Sequence, residues 1–320
     1  MKENAGEVLH PLTLESIKSI YNSPRELKIF LEENSLGMRK KFGQNFLINP
    51  NIRERLLDAL EIKPLEKVWE IGPGLGAMTM GLLERGAELT AFEIDRGFIN
   101  ILKELFSCNN NFNLVEGDVL KTWPKISREN NISKHISLFG NLPYNIAAIL
   151  LADFIEKKFF FNKMVITVQF ETAQRLMAKP GTKDYSSLTV LCNSVYKIRP
   201  LMKIKGPSFY PIPRVESQAL RFDLIPLSKE LPKYFNPLTR VLFTNRRKTI
   251  KNNMLNFVYS VIEKYMKTTN KQHDVEQQVS NIVSNALEKM EISGNIRAET
   301  LDINGFIRLA EILEELIGNE

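Results

Sequence analysis

The stretch Val68-Trp-Glu-Ile-Gly-Pro-Gly-Leu-Gly-Ala-Met-Thr79 constrains this chain more than any other. A short apolar run, Val68 to Ile71, enters three alternate glycines, Gly72, Gly74 and Gly76, and leaves through the helix-like run Met78-Thr-Met-Gly-Leu-Leu-Glu84. The order is strand, bare turn, helix. Glycine lacks a Cβ and adopts the positive φ that a sharp turn demands, so a ligand can touch backbone there. A second apolar strand, Leu89-Thr-Ala-Phe-Glu-Ile94, delivers Glu93 roughly 20 residues beyond the first glycine, the spacing at which an acidic residue grips a ribose in doubly wound folds. Together these features predict an α/β chain with a Rossmann-like sheet that binds a nucleoside. A tight turn alone would account for the glycines, but not for strand, helix and acid in register.

The glycine spacing narrows the ligand. It is Gly-x-Gly-x-Gly, with Ala77 where the dinucleotide fingerprint wants its third glycine, so a pyrophosphate cofactor and a nicotinamide oxidoreductase are disfavoured. S-adenosylmethionine, with ribose and adenine but no pyrophosphate, fits the turn better.

A length of 320 residues suits a larger domain with a smaller one. Hydrophobic content of 43% and charged content of 25% are those of a soluble globular protein. The net charge of +6 points to an anionic partner such as nucleic acid, although charge alone decides little. Cys108 and Cys192 are the only cysteines, which excludes a disulfide framework and suits a reducing cytoplasm. His10, His135 and His273 are scattered singly, so no metal site is expected. The N-terminus has no signal-peptide pattern, and no run approaches the ~20 apolar residues that cross a bilayer. A cytoplasmic protein without a membrane partner is expected.

Along the chain, residues 1–36 read as an appended helical extension: Ser23-Pro-Arg-Glu26 resembles a helix start, and Leu27, Phe30 and Leu31 follow at helical spacing. Arg39-Lys-Lys-Phe-Gly-Gln-Asn-Phe-Leu47 mixes a basic cluster with apolar and amide residues. Such a loop can close over a small ligand and meet phosphates with its cations. Asn49-Pro-Asn-Ile-Arg-Glu54 starts a helix with Ile52, Leu56, Leu57 and Leu60 facing the core, and Phe98 to Phe106 reads as another helix. Phe112 to Leu120 reads as a third strand that carries Gly117-Asp118 to the ligand edge of the sheet. Asp118 there can accept from an adenine amine; as a turn residue it needs no ligand.

Ile136-Ser-Leu-Phe-Gly-Asn-Leu-Pro-Tyr-Asn145 carries the most specific chemistry. An exocyclic amine on a base is a poor nucleophile, because its lone pair is delocalised into the ring until acceptors hold its protons in a tetrahedral geometry. The amide oxygen of Asn141 and a neighbouring backbone carbonyl can be those acceptors. Pro143 stiffens the loop, and Tyr144 can stack on an extruded base, a contact worth roughly 1–3 kcal/mol. No strong general base is required, since the methylated ammonium loses its proton to water.

Lys40-Lys-Phe-Gly-Gln-Asn-Phe-Leu47, Glu70-Ile-Gly-Pro-Gly-Leu-Gly76, Phe92-Glu-Ile-Asp95, Glu116-Gly-Asp118 and Gly140-Asn-Leu-Pro-Tyr144 resemble, in that order, the motif set of the ribosomal RNA adenine dimethyltransferases. The resemblance runs from about residue 37 to the end. It implies that Asn45, Leu47, Gly72, Glu93, Asp118 and Asn141 contact S-adenosylmethionine, with Glu93 on the ribose and Asp118 near the adenine. It also implies that Asn141 and Tyr144 handle the target adenine. Gln169, Glu171, Ala173 and Arg175 stand in the register of a further family pattern, and Ser208 to Ser217 resembles another. Phe209 in the latter could sandwich the base against Tyr144, or be core. The candidate catalytic residues are thus Asn141, Leu142, Tyr144 and Phe209.

Beyond Phe222 helices replace strands, and Thr244-Asn-Arg-Arg-Lys-Thr-Ile-Lys251 is a basic run. Arg246, Arg247, Lys248 and Lys251 are the candidate RNA-binding residues, through phosphates; a solvated face is the plainer reading. The expected domains are the extension (1–36), a methyltransferase domain (37–222) and a smaller all-helical RNA-binding domain (223–320). The resemblance implies dimethylation of N6 of two adjacent adenines near the 3′ end of small-subunit (16S) rRNA, on an assembling subunit, by a monomer. Methylation of large-subunit rRNA and a non-catalytic RNA-binding assembly factor are the alternatives.

Overall fold

The structure, a computed structural model, describes residues 12–34, 36, 45–129, 136–142, 146–226, 229–265 and 272–318. Two helices come first, α1 (Leu14–Asn22) and α2 (Pro24–Glu33). Each starts on a hydroxyl cap. The Ser16 N–H donates to the Thr13 hydroxyl at 3.1 Å and the Glu26 N–H to the Ser23 hydroxyl at 3.3 Å, satisfying donors that a helix start leaves free. Pro24 occupies the first turn, where its missing N–H is not needed. A short strand, β1 (Phe46–Leu47), leads to α3 (Pro50–Ala59), capped by Asn49.

Strands and helices then alternate: β2 (Lys67–Ile71), α4 (Ala77–Glu84), β3 (Glu88–Glu93), α5 (Arg96–Phe106), β4 (Phe112–Glu116), α6 (Val119–Glu129), β5 (Ile136–Asn141), α7 (Ala147–Glu156) and β6 (Lys163–Gln169). Next come α8 (Phe170–Leu176), α9 (Ser187–Asn193), β7 (Tyr196–Ile204), β8 (Phe209–Tyr210) and β9 (Ser217–Leu224). The chain closes with α10 (Phe235–Thr244), α11 (Ile250–Tyr265), α12 (Gln272–Lys289) and α13 (Ile303–Gly318).

The seven-stranded sheet has the order β4-β3-β2-β5-β6-β9-β7. β2 pairs in parallel with β3 on one side and β5 on the other, so the strand order reverses at β2. Crevices that bind ligands in open α/β sheets lie at such a switch, beyond the carboxyl ends of the strands. Val68, Trp69 and Ile71 are all buried, as are Leu138 and Phe139, because helices cover both faces of a parallel sheet. Trp69 meets Phe92 and Phe161 edge-on at 4.9 and 5.6 Å. β9 runs antiparallel to β6, and β1 pairs antiparallel with β8.

The chain divides into two compact units. The first comprises Met1–Leu150, Phe161–Phe170 and Arg199–Asp223. Within it Ile17 and Tyr21 of α1 and Leu27 and Leu31 of α2 share a core with Phe46, Leu75, Met80, Phe98 and Leu102. The N-terminal helices therefore belong to the sheet unit. The second comprises Leu151–Phe160, Glu171–Ile198 and Leu224–Glu320. Within it α9 packs on α10 and α13. Phe243 stacks on Phe306 at 5.7 Å in its interior. From Phe235 onward its regular elements are all helical among the described residues.

The third expected strand is shorter than its apolar run. It stops at Glu116, Gly117 takes a φ of 119°, and the Leu120 N–H donates to Asp118 Oδ1 at 3.0 Å, so Val119 and Leu120 begin α6. Among the described residues no helix is long and apolar enough to cross a membrane.

Candidate cofactor and substrate site

A cavity of about 280 Å³ opens at the carboxyl edge of the sheet in the first unit. Four parallel strands each deliver a residue to it: Gly72 just after β2, Glu93 at the end of β3, Asp118 just after β4 and Asn141 at the end of β5. Asn45, Phe46 and Leu47 of the β1 segment complete the wall. The six residues expected to hold a cofactor are thus gathered in one place, although they are drawn from five stretches of sequence. Among the described residues no group of three or more His, Cys, Asp or Glu side chains could hold a metal ion.

The turn after β2 is built for close approach. Gly72 has a φ of 72°, and nothing lies within 4 Å of where a Cβ would stand, so a ligand can reach its backbone. Gly76 has a φ of 85° and precedes α4 as its N-cap, and a Cβ there would lie 2.8 Å from the Phe106 ring. The first glycine faces open space, and the last faces the core.

Glu93 is 5% exposed and fixed by three backbone donors: Gly74 N–H at 3.1 Å, Ile94 N–H at 2.8 Å and Asp95 N–H at 2.9 Å. Burial raises its pKa to about 6 against the pull of those amides. Glu70, also on the wall, is 2% exposed and accepts from the Thr79 hydroxyl at 2.7 Å. Burial raises it to about 8, partly offset by that hydrogen bond, with the Glu93 charge adding to the shift. Two carboxyl groups poorly solvated by water favour a ligand that brings donors or positive charge, which stabilises their ionised forms.

Asn141 lies opposite Thr167 in the β5–β6 register, and the Leu142 N–H donates to the Thr167 carbonyl at 3.1 Å. The Asn141 amide donates to the Asn45 carbonyl at 2.8 Å, which fixes the side chain and leaves Oδ1 as an acceptor. The Leu142 side chain is buried, so this residue has only backbone to offer the cavity. Tyr144 lies outside the described residues, as do Lys40 to Gln44.

Phe209 is placed differently from the stacking role. It is 1% exposed, sits opposite Leu47 in the β1–β8 pair and belongs to a core cluster with Leu56, Leu57 and Phe139. A base sandwich needs an open ring face, and this ring has none. In the second unit Arg246 is engaged within the protein, with Glu299 at 2.6 Å and the Lys183 carbonyl at 2.6 Å. Arg247, Lys248 and Lys251 are exposed. Glu70 and Tyr21 are among the wall residues to which the sequence assigns no role. Glu70 was signalled by its place immediately before the glycine turn, whereas Tyr21 sits in a helical pattern that reads as ordinary packing.

A parallel sheet reversing at β2, a glycine turn at the reversal and an acid ending the next strand define a class I methyltransferase fold. The chain belongs to the ribosomal RNA adenine dimethylase family, which matches residues 36–312. It is 42% identical over 303 residues to a "Ribosomal RNA small subunit methyltransferase A" of Treponema denticola, covering 92% of this chain and 96% of that one. The protein of the same name from Borreliella afzelii is 46% identical over 249 residues, covering 77% and 86%. Among solved structures, a dimethyladenosine transferase from Plasmodium falciparum superposes with a TM-score of 0.65 at 27% identity, covering 82% of this chain and 94% of that one.

Proposed function

We propose that this chain transfers methyl groups from S-adenosylmethionine to N6 of two adjacent adenines near the 3′ end of small-subunit (16S) rRNA, acting as a monomer on an assembling subunit in the cytoplasm. The observation that carries the reading is the position of Asn141, its amide held by Asn45 on the wall that Gly72 and Glu93 share. The residues present fit the cofactor: bare backbone at Gly72, a fixed carboxylate at Glu93 for ribose hydroxyls and Asp118 beyond it for the adenine amine.

When bound, S-adenosylmethionine supplies a methyl group activated by a positively charged sulfur. Ionised Glu93 accepts from the ribose and sets the register of the ligand along the strand ends. Asn141 Oδ1 and the backbone beside it accept the protons of the target amine, drawing its lone pair out of conjugation with the ring. Positioning of this kind can supply much of the barrier reduction without a strong base, and the released proton goes to water.

The test is methyl transfer to small subunits that lack dimethyladenines, read by mass spectrometry of the rRNA. Two dimethyladenines are expected with the unaltered protein. Asn141→Ala is expected to lower transfer by at least roughly 100-fold, as when one preorganised transition-state contact is lost, while RNA affinity persists. No transfer by the unaltered protein on any subunit preparation would favour an assembly factor that only binds RNA.

A further inference from the structure

The N-terminal helices reach the cofactor cavity. Tyr21, on the last turn of α1, is 4% exposed and lines the wall. Its hydroxyl lies over the glycine turn: a Cβ on Gly74 would stand 3.7 Å from that oxygen and 3.1 Å from the Phe46 ring. Tyr21 meets Phe46 edge-on at 5.8 Å and 87°, and Phe46 meets Phe98 edge-on at 5.6 Å, so three rings line this side of the cavity.

A guanidinium adds polar ties to this packing. Arg53 is buried and lies 5.3 Å from the Tyr21 ring centroid, within the range of a cation–π contact. It also donates to the Leu47 and Ile48 carbonyls at 2.9 and 2.8 Å and to Asn22 Oδ1 at 2.7 Å. The end of α1 is thereby fastened to β1, itself part of the wall. The Lys18–Glu84 pair also joins α1 to α4, but both side chains are exposed and such a pair contributes little.

The strand order identifies the part of the ligand that Tyr21 would meet. Along the rim, Asp118 follows β4, Glu93 ends β3, the glycine turn follows β2 and Asn141 ends β5. With adenine at Asp118 and ribose at Glu93, the next position is the turn after β2, beneath the Tyr21 hydroxyl. We infer that Tyr21 is a cofactor-binding residue that contacts the amino-acid end of S-adenosylmethionine, with Arg53 as the residue that positions it. The inference rests on the cofactor reading above. The hydroxyl already accepts from the Leu75 backbone N–H, so what it offers that end is its proton, donated to the carboxylate.

Titration calorimetry with two ligands tests it: S-adenosylmethionine, and 5′-methylthioadenosine, which keeps the adenine, ribose and sulfur but lacks the amino-acid end. Tyr21→Phe removes one hydroxyl from a ring whose packing survives. It is expected to raise the Kd for S-adenosylmethionine roughly 3- to 10-fold, the loss of one hydrogen bond, and to leave that for 5′-methylthioadenosine within about twofold. Tyr21→Ala is expected to widen the difference between the two ligands. Values within about twofold of the unaltered protein for S-adenosylmethionine in both variants, or equal weakening of both ligands, would overturn the assignment and make Tyr21 a packing residue. If the unaltered protein binds 5′-methylthioadenosine but gains nothing from the amino-acid end, the contact is absent. If it binds neither ligand, the cofactor reading itself fails and this inference falls with it.

Discussion

Glu70 and Glu93 put two carboxyl groups where water barely reaches, and the consequence is a stability that depends on pH. The folded chain holds Glu93 at about 6 and Glu70 at about 8, against an ordinary value of 4.5. Between those values the folded state keeps protons that the unfolded state releases, so stability must fall as pH rises. The contribution is fully present below the ordinary value and is lost as pH climbs through about 6 and then about 8. Glu70→Gln removes the larger part. Its unfolding free energy, measured by denaturant titration without ligand from roughly pH 5 to 8.5, is expected to fall less than that of the unaltered protein, with a gap at the alkaline end on the order of a few kcal/mol. Superimposable curves would mean that Glu70 ionises freely despite its burial. Affinity for a cationic ligand should run the other way and strengthen as Glu93 ionises, because the ligand favours the charged form.

At the scale of elements, the turn between β2 and α4 has two kinds of glycine, and substitution separates them. Both have positive φ, which costs a residue with a Cβ roughly 1–2 kcal/mol. At Gly76 the added carbon also meets the Phe106 ring at 2.8 Å, so Gly76→Ala is expected to lose more stability in denaturant titration than Gly72→Ala. At Gly72, on the cavity wall, the carbon meets nothing of the protein within 4 Å, so cofactor affinity is expected to suffer there out of proportion to stability. The reverse ranking would refute this division. This strand-turn-helix element was legible in the sequence because its signals are local: apolar runs, glycine spacing and an acid at a fixed distance. The same holds for the capped starts of α2 and α3. Where a signal depended on tertiary partners it was lost. Val119 and Leu120 extend an apolar run yet open a helix, because Gly117 and Asp118 turn the chain before them. Phe209 offers the same side chain to a base or to a core, and only its pairing opposite Leu47 decides. Tyr21 reaches the cavity through Arg53, Phe46 and Phe98, none of them near it in sequence.

For the molecule as a whole, the excess of 43 basic over 37 acidic residues is less informative than which cations remain available. Arg246, in the basic run after α10, is bound to Glu299 and to the Lys183 carbonyl, so much of its hydrogen-bonding capacity is already used inside the second unit. Arg247, Lys248 and Lys251 are exposed and take part in no ion pair among the described residues. Phosphate binding releases condensed counterions, so each cation that meets a phosphate steepens the fall of RNA affinity with salt by roughly 0.7 in the log–log slope for single strands. Replacing Arg247, Lys248 and Lys251 together with alanine is therefore expected to flatten that slope by about 2 and leave the unfolding midpoint nearly unchanged. Arg246→Ala alone should do the opposite, lowering stability as Glu299 loses its partner while changing the slope little. An unaltered slope in the triple variant would show that the basic run is only a solvated face, and that the net charge finds its RNA elsewhere on the chain.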